Sequence, residues 1–247
     1  MQYLATIFIR EQDPSAASEE ELRKMNDGYM RFGELAASAI RGGEALLPVA
    51  TGSTVRAPRP GTEAPLVTDG PFAESTEVVG GYYVLETETL DDVVELVQEI
   101  PAASDPNGGA VEVRPLAMLW APEQPVEKQP GDTRYLATIY GKEGPADIPD
   151  SPEWDRMASE HGQFIEKHAA ALMGGGALHP ASTATTVRVR DSAALVTDGP
   201  FAESTEVVGG FYLLRAASLD DAVAVAQDIP TNPGGAVELR PIMEFAG

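Results

Sequence analysis

Cysteine is absent from this chain. That excludes disulfides, thiolate nucleophiles and cysteine-ligated metals, and it suits a reducing compartment. Positive charge is scarce. Seventeen Lys and Arg stand against 39 Asp and Glu, for a formal net charge of −22. A field of that sign repels phosphate backbones and anionic lipid, so neither nucleic acid nor a membrane is expected as a partner. Long apolar runs are missing too, and no stretch is long enough to span a bilayer. The opening "MQYLATIFIREQD" alternates and turns acidic, so it does not read as a signal peptide. These features together predict a cytoplasmic protein. No HExxH, Walker or G-x-S-x-G motif occurs. "GGG" at 174–176 reads as a turn between helix and strand, the reverse of a phosphate-loop context.

What the chain does have is a repeat. "LVTDGPFAESTEVVGG" occupies Leu66–Gly81 and again Leu195–Gly210. "YLATI" at Tyr3 returns at Tyr135, "TVR" at Thr54 returns at Thr186, and "LDDVVELVQEIP" at Leu90 returns as "LDDAVAVAQDIP" at Leu219. "GGAVEVRPL" at Gly108 returns as "GGAVELRPI" at Gly234. Two copies are too few for a solenoid. The reading is two fused domains, 1–121 and 134–247, joined by a proline- and charge-rich linker at 122–133.

Each copy shows the same order of elements. "YLATIFI" alternates as a strand does. Glu19–Arg41 carries an apolar stripe at helical spacing, and "GG" at 42–43 is read as its stop. "ALLPVATGSTVRAP" reads as an extended arm and "GYYVLET" as a strand. Thr89 caps a helix that Pro101 ends, and "AVEVRPL" is the last strand. The order β-α-β-(β)-β-α-β is that of a ferredoxin-like α+β domain. The strands are apolar on both sides: Tyr3, Ala5, Ile7 and Ile9 face one way, Leu4 and Phe8 the other. The expected solution packs the two bare sheet faces together within one chain, as an intramolecular pseudo-dimer with a cleft between sheets. The alternative is a homodimer in which each half pairs with a half of a second chain.

The run "LVTDGPFAESTEVVGG", with "LDDAVAVAQDIP" and "GGAVELRPI", resembles the YCII-related proteins of the DGPF type. The resemblance covers most of both copies. It implies a dimeric α/β-barrel fold. It also implies a small-molecule chemistry such as that of a YCII-type dehydrochlorinase acting on a chlorinated hydroxyquinol, with a His–Asp pair as its centre. DGPF proteins are also often encoded beside extracytoplasmic-function sigma factors, which points instead to a non-catalytic accessory protein linked to that signalling.

The candidate residues divide between these readings. His161 lies on an apolar helical stripe with Met157, Phe164 and His168, and its counterpart in the first copy is Tyr29. Its helix position resembles that of the histidine of catalytic YCII members. An inward imidazole is either a proton shuttle or a hydrogen-bonded core residue. Asp198 and Asp69 are general-base candidates at strand ends, or turn caps beside Gly-Pro. Phe72 and Phe201 would anchor those turns in the core. Arg188 and Arg56 would hold an anion bidentately, or pair with neighbouring carboxylates. Glu203 is identical in both copies as Glu74, which turn geometry alone does not require. The expectation is therefore one competent site built on His161, Asp198 and Arg188, with Tyr29, Arg56, Asp69 and Glu203 contacting the ligand. It would use no cofactor and no metal, because His161 and His168 lie two turns apart. The reaction would be isomerase- or lyase-type proton transfer on an oxygenated, enolisable or aromatic compound.

Overall fold

The computed structural model describes residues 1–11, 18–58, 64–72, 76–127, 129–202 and 205–245. The first repeat supplies β1 (Gln2–Arg10), α1 (Glu19–Leu35), β2 (Ile40–Ala45), β3 (Ser53–Arg56), β4 (Leu66–Asp69), β5 (Glu77–Glu86), α2 (Leu90–Val97) and β6 (Ala110–Trp120). The second supplies β7 (Thr133–Gly141), α3 (Pro152–Lys167), β8 (Leu172–Leu178), β9 (Thr185–Arg190), β10 (Ala193–Asp198), β11 (Val207–Ala216), α4 (Leu219–Ala226) and β12 (Ala236–Pro241). The class is α+β, as the alternation of patterns predicts.

Two compact units form, and each is assembled from both repeats. Unit 1 comprises Met1–Ala45, Ser75–Pro115 and Ala181–Glu203; unit 2 comprises Leu46–Glu74, Leu116–Pro180 and Ser204–Gly247. The element exchanged is the β-hairpin that leads into the DGPF run. In unit 1 the antiparallel order is β2-β5-β1-β6-β9-β10, so the second repeat's hairpin pairs with the first repeat's last strand. In unit 2 the order is β8-β11-β7-β12-β3-β4, and the first repeat's hairpin pairs with β12. The far end of β6, from Leu116 to Trp120, adds an edge beside β8 in unit 2.

Alternation places the cores. In unit 1, Tyr3, Ala5 and Ile7 of β1 face Phe32 of α1 and Val93 and Val97 of α2. In unit 2, Tyr135 and Ala137 of β7 join Phe164 of α3 and Ala222 and Ala226 of α4. The helices start where side-chain caps allow. Thr89 accepts from the Asp92 amide with a full capping box, and Ser218 accepts from Asp221.

The glycine pairs behave differently from the sequence reading. α1 ends at Leu35, and Gly42–Gly43 lies inside β2. "GGG" at 174–176 lies inside β8 rather than in a turn. The reason is a cross-strand ring. A Cβ on Gly43 would come within 2.5 Å of the Tyr83 ring, and one on Gly175 within 2.6 Å of the Tyr212 ring. Tyr83 and Tyr212 face these glycines directly across the ladder. A large aromatic lying over a glycine restores the packing that the glycine lacks, so a strand tolerates it. The end of the repeated run has its own irregularity. The register skips Gly80 between β1 and β5 and Gly209 between β7 and β11, giving a bulge in each unit.

Candidate functional site

The two DGPF turns are built alike. Gly70 and Gly199 adopt φ of +88° and +99°, a region that L side chains rarely enter. Thr54 Oγ1 donates to the Gly70 carbonyl at 2.9 Å, and Thr186 Oγ1 to the Gly199 carbonyl at 3.0 Å. The Phe72 amide then donates to Glu238 Oε2 at 2.8 Å, and the Phe201 amide to Glu112 Oε2 at 2.9 Å. Both glutamates are buried and paired with buried arginines, Glu112 with Arg114 at 2.8 Å and Glu238 with Arg240 at 3.4 Å. Each pair belongs to one repeat and the turn it holds belongs to the other. The Glu-x-Arg of "AVEVRP" and "AVELRP" is thus the receptor for the partner repeat's DGPF turn.

This arrangement accounts for most of the predicted anion-binding residues. Arg56 lies 4.6 Å over the Phe72 ring and donates to the Phe72 carbonyl at 3.0 Å. Arg188 lies 5.0 Å over the Phe201 ring. Phe72 stacks on Tyr140 at 4.5 Å and Phe201 on Phe8 at 4.4 Å. Both phenylalanines are half-buried and ring-stacked rather than sunk in a core, because the sheet surface under them already carries an aromatic. Asp69 and Asp198, at the ends of β4 and β10, are exposed. Glu203, like Glu74, lies outside the described residues.

The cavity of unit 2 lies elsewhere, on the helix-bearing side of its sheet. It measures roughly 250 Å³ and runs beneath α3, between that helix, the glycine segment of β8 and the end of β6. The chain has two tryptophans, and both Trp120 and Trp154 line it. Ile139, Met157 and Ile165 complete an apolar body. His161 faces it, with Nδ1 2.9 Å from the Tyr212 hydroxyl. Burial pushes the His161 imidazole down to about 4, against a smaller opposing pull from Glu160. Burial also raises the Tyr212 phenol. At neutral pH the pair is therefore a neutral imidazole beside a neutral phenol, and the contact forms in either tautomer: Nδ1 accepts from the Tyr212 hydroxyl with the ring proton on Nε2, or Nδ1–H donates to the Tyr212 oxygen and leaves the lone pair on Nε2.

At one side of the cavity stands Asp147. Its Oδ2 accepts from the Gly144 amide at 2.7 Å and from Asn232 Nδ2 at 3.2 Å. Desolvation raises its pKa, opposed by those same hydrogen bonds and reinforced by Glu143. The bulge glycine of β11 lies beside it: a Cβ on Gly209 would meet Asp147 Oδ1 at 3.6 Å, an ordinary contact. A recess of roughly 30 Å³, shared by Asp147, Gly209 and Asn232, adjoins the main cavity.

Of the predicted site, His161 lines this cavity, whereas Arg188 and Asp198 belong to unit 1 and are not among the lining residues. Arg56 and Asp69 belong to unit 2 but do not line it either. Tyr29, the counterpart of His161, packs against the core of unit 1. Asp147, Trp154, Tyr212 and Asn232 were not singled out from sequence. One signal bears on Trp154 alone among them, since both tryptophans fall where the other repeat has no tryptophan. Among the described residues no three His, Asp or Glu gather as a metal site would require, and no helix is long and apolar enough to cross a membrane.

An α+β chain of two repeats, each lending a hairpin to the other's sheet, defines the class. The YCII-related domain model matches residues 1–119 and again 133–246, and the chain belongs to that family. It is 34% identical over 112 residues to "Uncharacterized protein R00369" of Rhizobium meliloti (strain 1021). That match covers 44% of this chain and 90% of the relative, so a single repeat corresponds to nearly that whole protein. Among solved structures, the chain is similar to "Crystal structure of Putative Chlorite dismutase TA0507". The TM-score is 0.39 at 8% identity, over 98% of this chain and 94% of that one.

Proposed function

We propose that the protein is a cofactor-independent small-molecule enzyme or binder, and that its site is the cavity beneath α3. The observation that carries this reading is His161, a neutral imidazole held by Tyr212 at the wall of an apolar cavity. When Nδ1 donates to the Tyr212 oxygen, Nε2 keeps its lone pair and is a base weakened by burial, which suits proton transfer on an oxygenated or aromatic ring. A cavity with an apolar body and a few convergent polar groups is the usual form of a small-molecule site. The reading does not use Arg188 or Asp198. A second reading, a non-catalytic accessory protein, draws support from α1. Leu22 and Met25 continue the stripe of Tyr29 and Phe32, yet they are 44% and 51% exposed.

The test is a search for ligands and turnover, read first through the fluorescence of the two cavity tryptophans. Once a substrate is found, His161→Ala should lower turnover about 10²–10⁴-fold, the range for lost acid–base catalysis. Tyr29→Phe should have a far smaller effect. Equal losses would remove His161 from the chemistry. A broad screen with no change in tryptophan emission would favour the accessory reading.

A further inference from the structure

We propose that the cavity beneath α3 recognises an organic ammonium ion, the cationic nitrogen meeting Asp147 and the apolar body lying against Trp120 and Trp154. The inference rests on the reading that this cavity binds a small molecule, and it names the charge class of that molecule.

The charge inventory of the wall leads to it. Among the described residues no lysine or arginine lines the cavity, and the only ionisable side chains there apart from Tyr212 are His161 and Asp147. Burial keeps the imidazole neutral, so the one formal charge available is a carboxylate. An anionic ligand would find no counter-charge there and would lose its hydration for nothing. A cation finds three attractions. Asp147 is oriented through Oδ2 by Gly144 and Asn232, while Oδ1 has no hydrogen-bond partner among the described residues. A half-buried carboxylate with one unengaged oxygen gains a charge-assisted hydrogen bond from an ammonium group. The indole rings of Trp120 and Trp154 line the same cavity, and an aromatic ring attracts a cation over its face. The field of a chain with net charge −22 draws cations toward the surface from beyond contact distance. The volume, roughly 250 Å³, suits an amine with one aromatic ring.

The experiment uses the full chain and three probes that share a ring and a chain length: 2-phenylethylammonium, 2-phenylethanol and phenylacetate. Each is titrated against tryptophan fluorescence at low salt and again at about 0.5 M salt, where fields beyond a few ångströms are screened. The ammonium should bind about tenfold or more tighter than the alcohol at both salt concentrations, and phenylacetate most weakly. Asp147→Asn should bring the ammonium to the level of the alcohol and leave the alcohol where it was. If that variant fails to fold, the wild-type charge series at high salt decides. An alcohol or phenylacetate that binds as tightly as the ammonium overturns the proposal while leaving the cavity a small-molecule site. If none of the three perturbs the tryptophans, the small-molecule reading falls with it.

Discussion

α1 with its sheet in unit 1 and α3 with its sheet in unit 2 descend from the same repeated pattern, yet they enclose different things. Much is shared. Phe32 and Phe164 hold matching places in the two cores. Each packs on the tyrosine that covers a strand glycine, Phe32 on Tyr83 at 4.9 Å and Phe164 on Tyr212 at 5.0 Å. The divergence begins one turn earlier. At Gly28, α1 comes so close to the turn starting at Pro101 that a Cβ would lie 2.8 Å from the proline ring. The matching position of α3 is Glu160, whose side chain rules out so close an approach, and Pro230 there lines the cavity instead. Tyr29 packs against the core of unit 1 where His161 lines the cavity of unit 2. Met118 and Trp120, from the extended end of β6, form a further wall in unit 2. A cavity can thus arise from a conserved framework when one close helix contact is lost and a neighbouring strand is lengthened.

The shared features should break equally. Glu112→Ala and Glu238→Ala each leave a buried arginine without its carboxylate and a DGPF turn without its acceptor. Each should cost about 3–5 kcal/mol in urea unfolding, and the two should agree within about 1 kcal/mol. A large loss at one and none at the other would show that the two turns are not held alike.

The divergent features should break unequally. His161 titrates near 6.5 when unfolded and near 4 in the fold. Between those values the unfolded chain binds the extra proton, so stability falls as pH drops through that window and levels off below it. From pH 7 to pH 5 this one group should remove about 2 kcal/mol. His161→Gln should lack that component when urea midpoints of the two proteins are compared at both pH values. Tyr29, whose phenol burial pushes further up, offers no such acid-side slope. An identical pH dependence in wild type and variant would mean that His161 is not buried as described.

The smallest effect concerns the helix contact. Gly28→Ala gains helix propensity but presses on Pro101, and we expect a net loss of about 1–2 kcal/mol in thermal or urea unfolding. Glu160→Ala, at the matching place over the cavity, should stay within about 0.5 kcal/mol. A stabilising Gly28→Ala would mean that α1 can retreat as α3 does, and the contrast between the units would soften.

Local signals carried the elements well, since their causes lie within a few residues. Thr89 and Ser218 cap their helices, the 3.6-residue stripes mark α1 and α3, and the alternation in "YLATIFI" assigns each side chain of β1 to a face. Glycine misled where its partner was distant in sequence. Gly43 and Gly175 read as breakers, but their strand places are made by rings 40 and 37 residues further along. The arginines misled in the same way. Arg56 and Arg188 looked like cleft residues, and they lie on the DGPF phenylalanines instead.

What the sequence by itself determined is the repeat, the α+β order of elements, the family, and His161 as an inward-facing histidine. Each follows from period, composition or a capping residue, all of which act over short range. Only the tertiary structure decided that the repeated DGPF turn is held by the other repeat's Glu-x-Arg, and that Asp147, Tyr212, Trp120 and Trp154 gather around His161. Those groupings depend on which hairpin pairs with which strand. That choice rests on strand pairings, and on part-buried hydrogen bonds between residues more than 85 positions apart, and no local pattern records it.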